Sequence, residues 1–178
     1  MSGEIELIRI GEVKEVYILK LKSDLEEIFK RKVVEGPQME EPLYAFDPTR
    51  GQCLGRLILQ RISARRSPSE RKLGITSADL YAPGLNFIFG EADPLNGVAV
   101  ISICRLRQEF YGLPPDEKLL EERILKEAVH ELGHTWGLGH CSNPRCVMFF
   151  SNSLLDTDRK SARFCSKCEE KLAKAMRR

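Results

Sequence analysis

Between Pro114 and His140 the chain has few forms open to it. Pro114 and Pro115 interrupt whatever precedes them, and Asp116 can cap a helix. Apolar residues then recur at helical spacing through Leu119, Leu120, Ile124, Leu125, Ala128, Val129 and Leu132. The helix should stop near Trp136, because Gly137 and Gly139 follow and glycine readily takes the left-handed conformation that turns a chain out of a helix. Its last two turns contain His130, Glu131 and His134. Residues four apart share a helix face, so both imidazoles can reach one metal ion. Gly137 redirects the chain, and three residues later His140 can supply a third imidazole. The chain has three histidines in all; with the first fixed, chance puts the other two at these offsets on the order of once in ten thousand.

Three neutral imidazoles leave one position open on a tetrahedral zinc, as a catalytic site requires. Zinc bound in this way lowers the pKa of its water to about 7. Glu131, next to the first ligand but outside the coordination shell, can take the proton of that water and pass it to a leaving amine. Zinc and nearby donors would stabilise the developing oxyanion. Peptide-bond hydrolysis is the reaction that uses all these parts. Zinc suits three histidines best among the available metals, although other divalent ions bind imidazole too.

The six cysteines carry a second pattern. Cys141 follows His140 directly, Cys146 comes five positions later, and Cys165 and Cys168 form a Cys-x-x-Cys pair. Four thiolates in two close pairs match a closed structural zinc site. Redox chemistry at Cys165 and Cys168 would leave Cys141 and Cys146 without a role. Two zinc ions per chain are therefore expected, one catalytic and one structural. Because His140 and Cys141 are neighbours, the two sites should be mechanically joined. Cys53 and Cys104 have no close partner and read as small buried hydrophobes.

Length and charge narrow the remaining choices. A chain of 178 residues suits one compact domain with a single core. It divides naturally into an N-terminal lobe with the active-site helix (1–137) and a small C-terminal lobe with the four-cysteine site (138–178). With 28 cations against 26 anions the net charge is +2, which gives no electrostatic footprint for nucleic acid. The first ten residues lack the basic start and apolar core of a signal peptide. The longest apolar stretch, Gly97 to Cys104, is far short of the ~20 residues a membrane helix needs. A cytoplasmic monomer acting on a peptide or protein, with no nucleic-acid or membrane partner, is the expectation.

Elsewhere the punctuation predicts strands at Glu4–Ile10, Val33–Val34, Lys72–Ile75, Leu85–Phe89 and Val98–Ile103. Helices are predicted at Val13–Lys30 and Leu54–Ile62, with a loop through to Thr49 and an exposed basic connection over Arg61–Lys72. Strands interleaved with helices indicate a mixed sheet flanked by helices.

The run His130-Glu131-x-x-His134-x-x-Gly137-x-x-His140, followed by Met148, resembles the metzincin metalloproteases. Cys141 directly after the third histidine, the short Cys141-x-x-x-x-Cys146-x-Met148 segment and the later Cys165-x-x-Cys168 are similar to the archaemetzincins among them. Upstream, Asp79-Leu80-Tyr81 and Asn86-Phe87-x-Phe89-Gly90 are similar to the same family with less specificity. The resemblance implies an α+β, zincin-like fold: a twisted mixed β-sheet with flanking helices, a long active-site helix and a small C-terminal lobe carrying a structural zinc. It also implies that Met148 forms a tight turn beneath the catalytic metal, acting by packing. Leu85 to Ala92 would be the edge strand where an extended peptide pairs. Phe150 stands where certain relatives carry a metal-binding tyrosine, so no fifth ligand is expected there. Activity restricted to short peptides or to peptide amino termini follows from the same resemblance. A non-catalytic zinc-binding interaction protein and a zinc amidase on a non-peptide substrate are the alternatives; the presence of Glu131 speaks against the first.

Overall fold

The computed structural model describes residues 3–177. In chain order the elements are β1 (Glu4–Ile10), α1 (Glu15–Phe29), β2 (Lys32–Glu35), β3 (Phe46–Asp47), β4 (Gln52–Leu54), α2 (Gly55–Ser63), β5 (Arg71–Thr76), β6 (Leu80–Tyr81), β7 (Gly90–Asp93), β8 (Val98–Ser102), α3 (Glu117–Thr135), α4 (Leu154–Arg159) and α5 (Ser166–Ala175). Five strands form the main sheet in the order β2-β1-β5-β8-β7. The first four run parallel, and β7 closes one edge antiparallel to β8, with Ala92 opposite Ala99. No described helix is long and apolar enough to cross a membrane.

Both faces of this sheet are covered, which is why its parallel strands read as nearly continuous apolar runs. Alternation still sorts them. Ile5, Leu7, Leu73, Ile75, Ala99 and Ile101 join the core shared with α1 and α3, while Ile8, Ile10, Val98 and Val100 join the one built around Ile58, Leu59 and Ile62 of α2. Leu138, Cys146, Val147, Met148, Cys168 and Leu172 belong to the same core as α1 and α3, so the segment after α3 packs onto it.

The long helix forms for the reasons visible in its sequence. The Asp116 carboxylate accepts the Leu119 backbone N–H at 2.9 Å, satisfying a donor that the first turn leaves free. Leu120, Ile124, Ala128 and Leu132 recur every four residues as one buried stripe. Burying each of the larger three contributes roughly 2 kcal/mol. At the other end Gly137 takes φ +83°, and its N–H reaches the His134 carbonyl at 2.8 Å, turning the chain out of the helix. Trp136, at the C-cap, stacks on Phe29 of α1 with ring centroids 5.0 Å apart.

Besides the short helices α4 and α5, which the sequence reading did not include, the structure departs from it in four places. Residues 85–89 are not a strand: only Ile88 makes a bridge, to Leu80, and the edge strand begins at Gly90. The carbonyls of Leu85 and Asn86 are held instead by side chains, from Arg50 at 2.9 and 3.0 Å and from Gln52 to Asn86 at 3.0 Å. The expected loop up to Thr49 contains structure, because Met39 extends the sheet edge beyond β2 through backbone bonds to Arg9 and Gly11, and β3 joins β4 and β6 in a small second sheet. The basic connection is shorter than expected, since α2 runs to Ser63 and β5 starts at Arg71. Cys53 is buried, but Cys104 is only half-buried.

Candidate metal centre

His130 and His134 stand one turn apart on α3, and each has a fixed tautomer. His130 Nδ1 donates to the Val147 carbonyl and His134 Nδ1 to the Leu138 carbonyl, both at 2.7 Å. A carbonyl only accepts, so each Nδ1 carries the proton and each Nε2 presents a lone pair. The two Nε2 atoms face each other at 3.1 Å. Two facing lone pairs at that distance repel unless a cation lies between them. A proton is a poor candidate, because burial, with the Lys160 ammonium adding to it, pushes the His130 imidazole down to about 2. Burial also lowers His134 and His140. His140 completes the group: one donor atom from each of the three histidines lies within 4.8 Å of the others. Ligands about 2.05 Å from a tetrahedral zinc are separated by roughly 3.3 Å, which the 3.1 Å pair approaches.

Glu131 is buried on the same two turns. Burial, followed by the Glu127 carboxylate, raises its carboxyl well above the ordinary range. It lies against the edge strand at Gly90, where an added Cβ would come within 2.7 Å of Glu131 Cγ and 2.8 Å of the Val100 carbonyl oxygen. The absence of a side chain at position 90 is thus what lets the acid lie flat between helix and strand. A cavity of about 220 Å³ opens beside it, lined by the 85–90 rim, by Glu127, His130 and Glu131 from the helix, and by Phe150, Ser151 and Asn152 opposite. Phe150 tilts against His140, ring centroids 4.9 Å apart, and offers it no ligand atom.

Met148 is fully buried in a tight turn closed by the Phe149 N–H to the Cys146 carbonyl at 2.9 Å. Its sulfur packs against Gly133 on the inner face of α3. The same turn carries the Val147 carbonyl that orients His130. The upstream motif residues hold the opposite rim: Asp79 forms a two-point ion pair with Arg105, both contacts 2.8 Å, and Arg105 lies over the Phe87 ring. Arg50 lies over the Tyr81 ring while bonding the rim carbonyls.

The four cysteines also converge, each offering a sulfur within 4.8 Å of the rest. Cys141 Sγ and Cys165 Sγ are 3.8 Å apart, which is roughly the edge of a tetrahedron of sulfurs 2.3 Å from a zinc. Backbone N–H groups point at two of the sulfurs, Asn143 at Cys141 (3.5 Å) and Cys165 at Cys146 (3.3 Å). The Cys165 thiol, N-cap of α5, is lowered to about 7, chiefly by the Cys168 backbone N–H.

Two residues near the histidines escaped the sequence reading. Lys160 is fully buried and pairs with Glu127 at 3.1 Å, the Thr157 hydroxyl donates to the same Glu127 oxygen at 3.1 Å, and Lys160 also reaches the Phe149 carbonyl at 3.4 Å. Glu127 could have been found, since it lies three residues before His130 and four before Glu131, on the face that points at the site. Nothing in the sequence separates Lys160 from a surface lysine.

A buried acid between two imidazoles on one helix, laid over the edge strand of a mixed sheet, defines a hydrolase of the zincin type. The sequence model of peptidase family M54 matches residues 69–174. Archaemetzincin of Pyrococcus abyssi is 47% identical, over 100% of this chain and 98% of its own. That of Methanocaldococcus jannaschii is 45% identical over 92% and 89%. Among solved structures, archaemetzincin from Methanopyrus kandleri superposes with a TM-score of 0.88 at 39% identity, covering 99% of this chain and 96% of that one. A zinc-dependent peptidase from Methanocorpusculum labreanum gives 0.86 at 34%, covering 94% and 99%. The chain belongs to peptidase family M54, the archaemetzincins, and is a zinc metallopeptidase.

Proposed function

We propose that His130, His134 and His140 hold the catalytic zinc, that Cys141, Cys146, Cys165 and Cys168 hold a second, structural zinc, and that Glu131 is the general base for hydrolysis of short or unfolded peptides. The observation that carries this reading is the pair of Nε2 lone pairs held 3.1 Å apart by two carbonyl-fixed tautomers. Zinc there supplies Lewis acidity toward water and the scissile carbonyl. The chain does the rest. The Val147 and Leu138 carbonyls keep the imidazoles in one tautomer and one orientation. Glu131, made more basic by burial, takes a proton from the attacking water and returns it to the leaving amine. Phe87, Phe89 and Phe150 line the cavity beside these groups and supply its apolar surface. Among the described residues the outer edge of β7 carries no further strand of the main sheet, and an extended peptide can pair along it. A cavity of about 220 Å³ has room for one substrate side chain.

The test is mass-spectrometric detection of cleavage in a diverse peptide library, with zinc counted per chain, for the native protein and Glu131→Gln. The expected result is two zinc ions in both proteins and cleavage by the native one alone. Cut positions report whether hydrolysis falls at amino termini, as an aminopeptidase requires, or internally. Equal cleavage by both proteins, or none by a native chain holding both metals, would overturn the reading.

A further inference from the structure

A second cavity adjoins the one beside the histidines, and the two share Phe87 and Asn152 as a common wall. It lies between the turn that precedes α3, which supplies Tyr111 and Leu113, and the start of α4, which supplies Leu154 and Leu155. Its volume is about 430 Å³, roughly twice that of the first. Three of the side chains around it are large, apolar and open to solvent: Leu155 is 57% exposed, Leu113 56% and Tyr111 47%. Apolar surface gathered in one concavity marks a binding site, unlike the single apolar residues scattered over any protein surface. The charged groups in its wall are already matched. Arg123 gives Nε and Nη2 to the two oxygens of Asp158 at 2.7 and 2.8 Å, and Nη1 to the Leu106 carbonyl at 2.9 Å. This pair is neutral as a unit, so a charged side chain entering the cavity would lose water without meeting a counter-charge. The polar side chains are engaged too: Gln108 donates to the Pro114 carbonyl and the Ser153 hydroxyl to Asp156. A short side chain would leave the leucines wet, whereas a bulky apolar one covers them. An apolar cavity of ~150 Å³ already takes a benzene ring, so an aromatic side chain fits here. Its place along the substrate follows from the shared wall. The first cavity touches His130 and Glu131, so the side chain in it belongs to a residue next to the scissile bond. In an extended peptide, residues two apart point to the same side about 7 Å from each other, and the cavity across Phe87 is the next place on that side for a side chain to go.

We infer that this second cavity is a subsite for a bulky apolar side chain of the substrate, aromatic above all, two residues along the peptide from the one that occupies the cavity beside the histidines. The inference rests on the peptidase reading above and narrows its substrates to peptides that carry such a residue at that spacing. Tyr111, Leu113, Leu154 and Leu155 are then substrate contacts.

Binding separates this from the hydrolytic reading. Zinc-loaded Glu131→Gln protein, which retains every subsite residue named here, is titrated with a blocked alanine hexapeptide and with the same peptide carrying one phenylalanine, lysine or aspartate at each position in turn. Phenylalanine at its best position is expected to bind about tenfold tighter than all-alanine or more, with lysine and aspartate there no tighter than alanine. Adding Leu113→Ser/Leu155→Ser, two changes at exposed positions, should cut that advantage about threefold or more. Leu155→Ser alone, with a fall of about twofold expected, serves if the pair does not fold. Cuts made by the native protein should place the phenylalanine two residues beyond one that flanks the cut, always on the same side. No phenylalanine advantage at any position, lysine or aspartate binding as tightly, a smaller fall in the folded variant, or an aromatic preference confined to the residues flanking the cut would overturn the inference. Failure of the native protein to cleave any peptide would overturn the hydrolytic reading instead and leave the binding order to decide on the subsite.

Discussion

The histidine and cysteine clusters lie next to each other in sequence and are built in opposite ways. The first two histidines stand on a nineteen-residue helix pressed against the sheet, and backbone carbonyls beyond the helix, of Val147 and Leu138, orient them. Cys141 and Cys146 come from the turns after α3, Cys165 is the N-cap of α5 and Cys168 lies in its first turn; Cys146 and Cys168 are packed into the core while Cys141 and Cys165 sit at its margin. Three donors leave a coordination position for chemistry, whereas four donors gathered from two turns and a short helix can close around an ion completely, and its binding would add to the order of that segment. The difference teaches that His140, which follows α3 and directly precedes Cys141, belongs to both regimes. On the proposed reading it would be the ligand whose position depends most on the second metal.

Removing the base without touching the frame should have the largest effect. Glu131→Gln is expected to lower kcat/KM about 10³-fold or more, as loss of a general base does, with zinc content and unfolding temperature unchanged. A stopped assay with metal analysis checks it; loss of zinc would mean that Glu131 also supports the site. Next comes Cys165→Ser/Cys168→Ser. We expect one zinc fewer per chain, an unfolding midpoint lower by ~10 °C, corresponding to several kcal/mol at this size, and a 10- to 100-fold weaker zinc affinity at the histidines. An unaltered affinity there would break the link through His140.

Gly90→Ala tests the frame alone. The new Cβ must displace Glu131 or the Val100 carbonyl, costing about 1–3 kcal/mol and roughly tenfold in kcat, with both zinc ions retained. Kinetics beside thermal unfolding would separate the two losses. The smallest effect is expected at the far end of α3, away from both clusters. The Tyr17 hydroxyl, then Lys14, hold the Glu117 carboxyl below the ordinary carboxylate range. Because this pKa is depressed by folding, its stabilisation is present above the unfolded value of about 4.3 and is lost as pH falls through the folded value. Glu117 is half exposed, so Glu117→Gln should lower the midpoint by no more than ~2 °C at pH 7 and by less at pH 3, measured by thermal melts. A larger shift would mean that α3 is less firmly anchored than the contrast with the cysteine lobe requires.

What could be read in advance follows from how local each signal is. α3 announces itself through a cap, a four-residue apolar repeat and a terminating glycine, and its histidines carry their spacing with them. The cysteine pairs are equally local. The 85–89 rim misled because Phe87 and Phe89 alternate as in a strand, while the groups that hold its carbonyls, Arg50 and Gln52, lie some 35 positions earlier. α4 and α5 are short and mostly polar, and tertiary contacts to α3 and the core hold them more than their own pattern does. Lys160 was invisible because its partner, Glu127, comes from an element more than 30 residues away.

The hydrogen bond from His130 to Val147, 17 positions further on, bears on when the protein can take up metal. On a growing chain the first histidine has no fixed tautomer until that carbonyl has been made, and the cysteine set is incomplete until residue 168. Neither donor set is complete while α3 is being synthesised, since His140 and all four cysteines follow it. On the proposed reading, full metal loading would then follow the folding of the whole segment from α3 to α5.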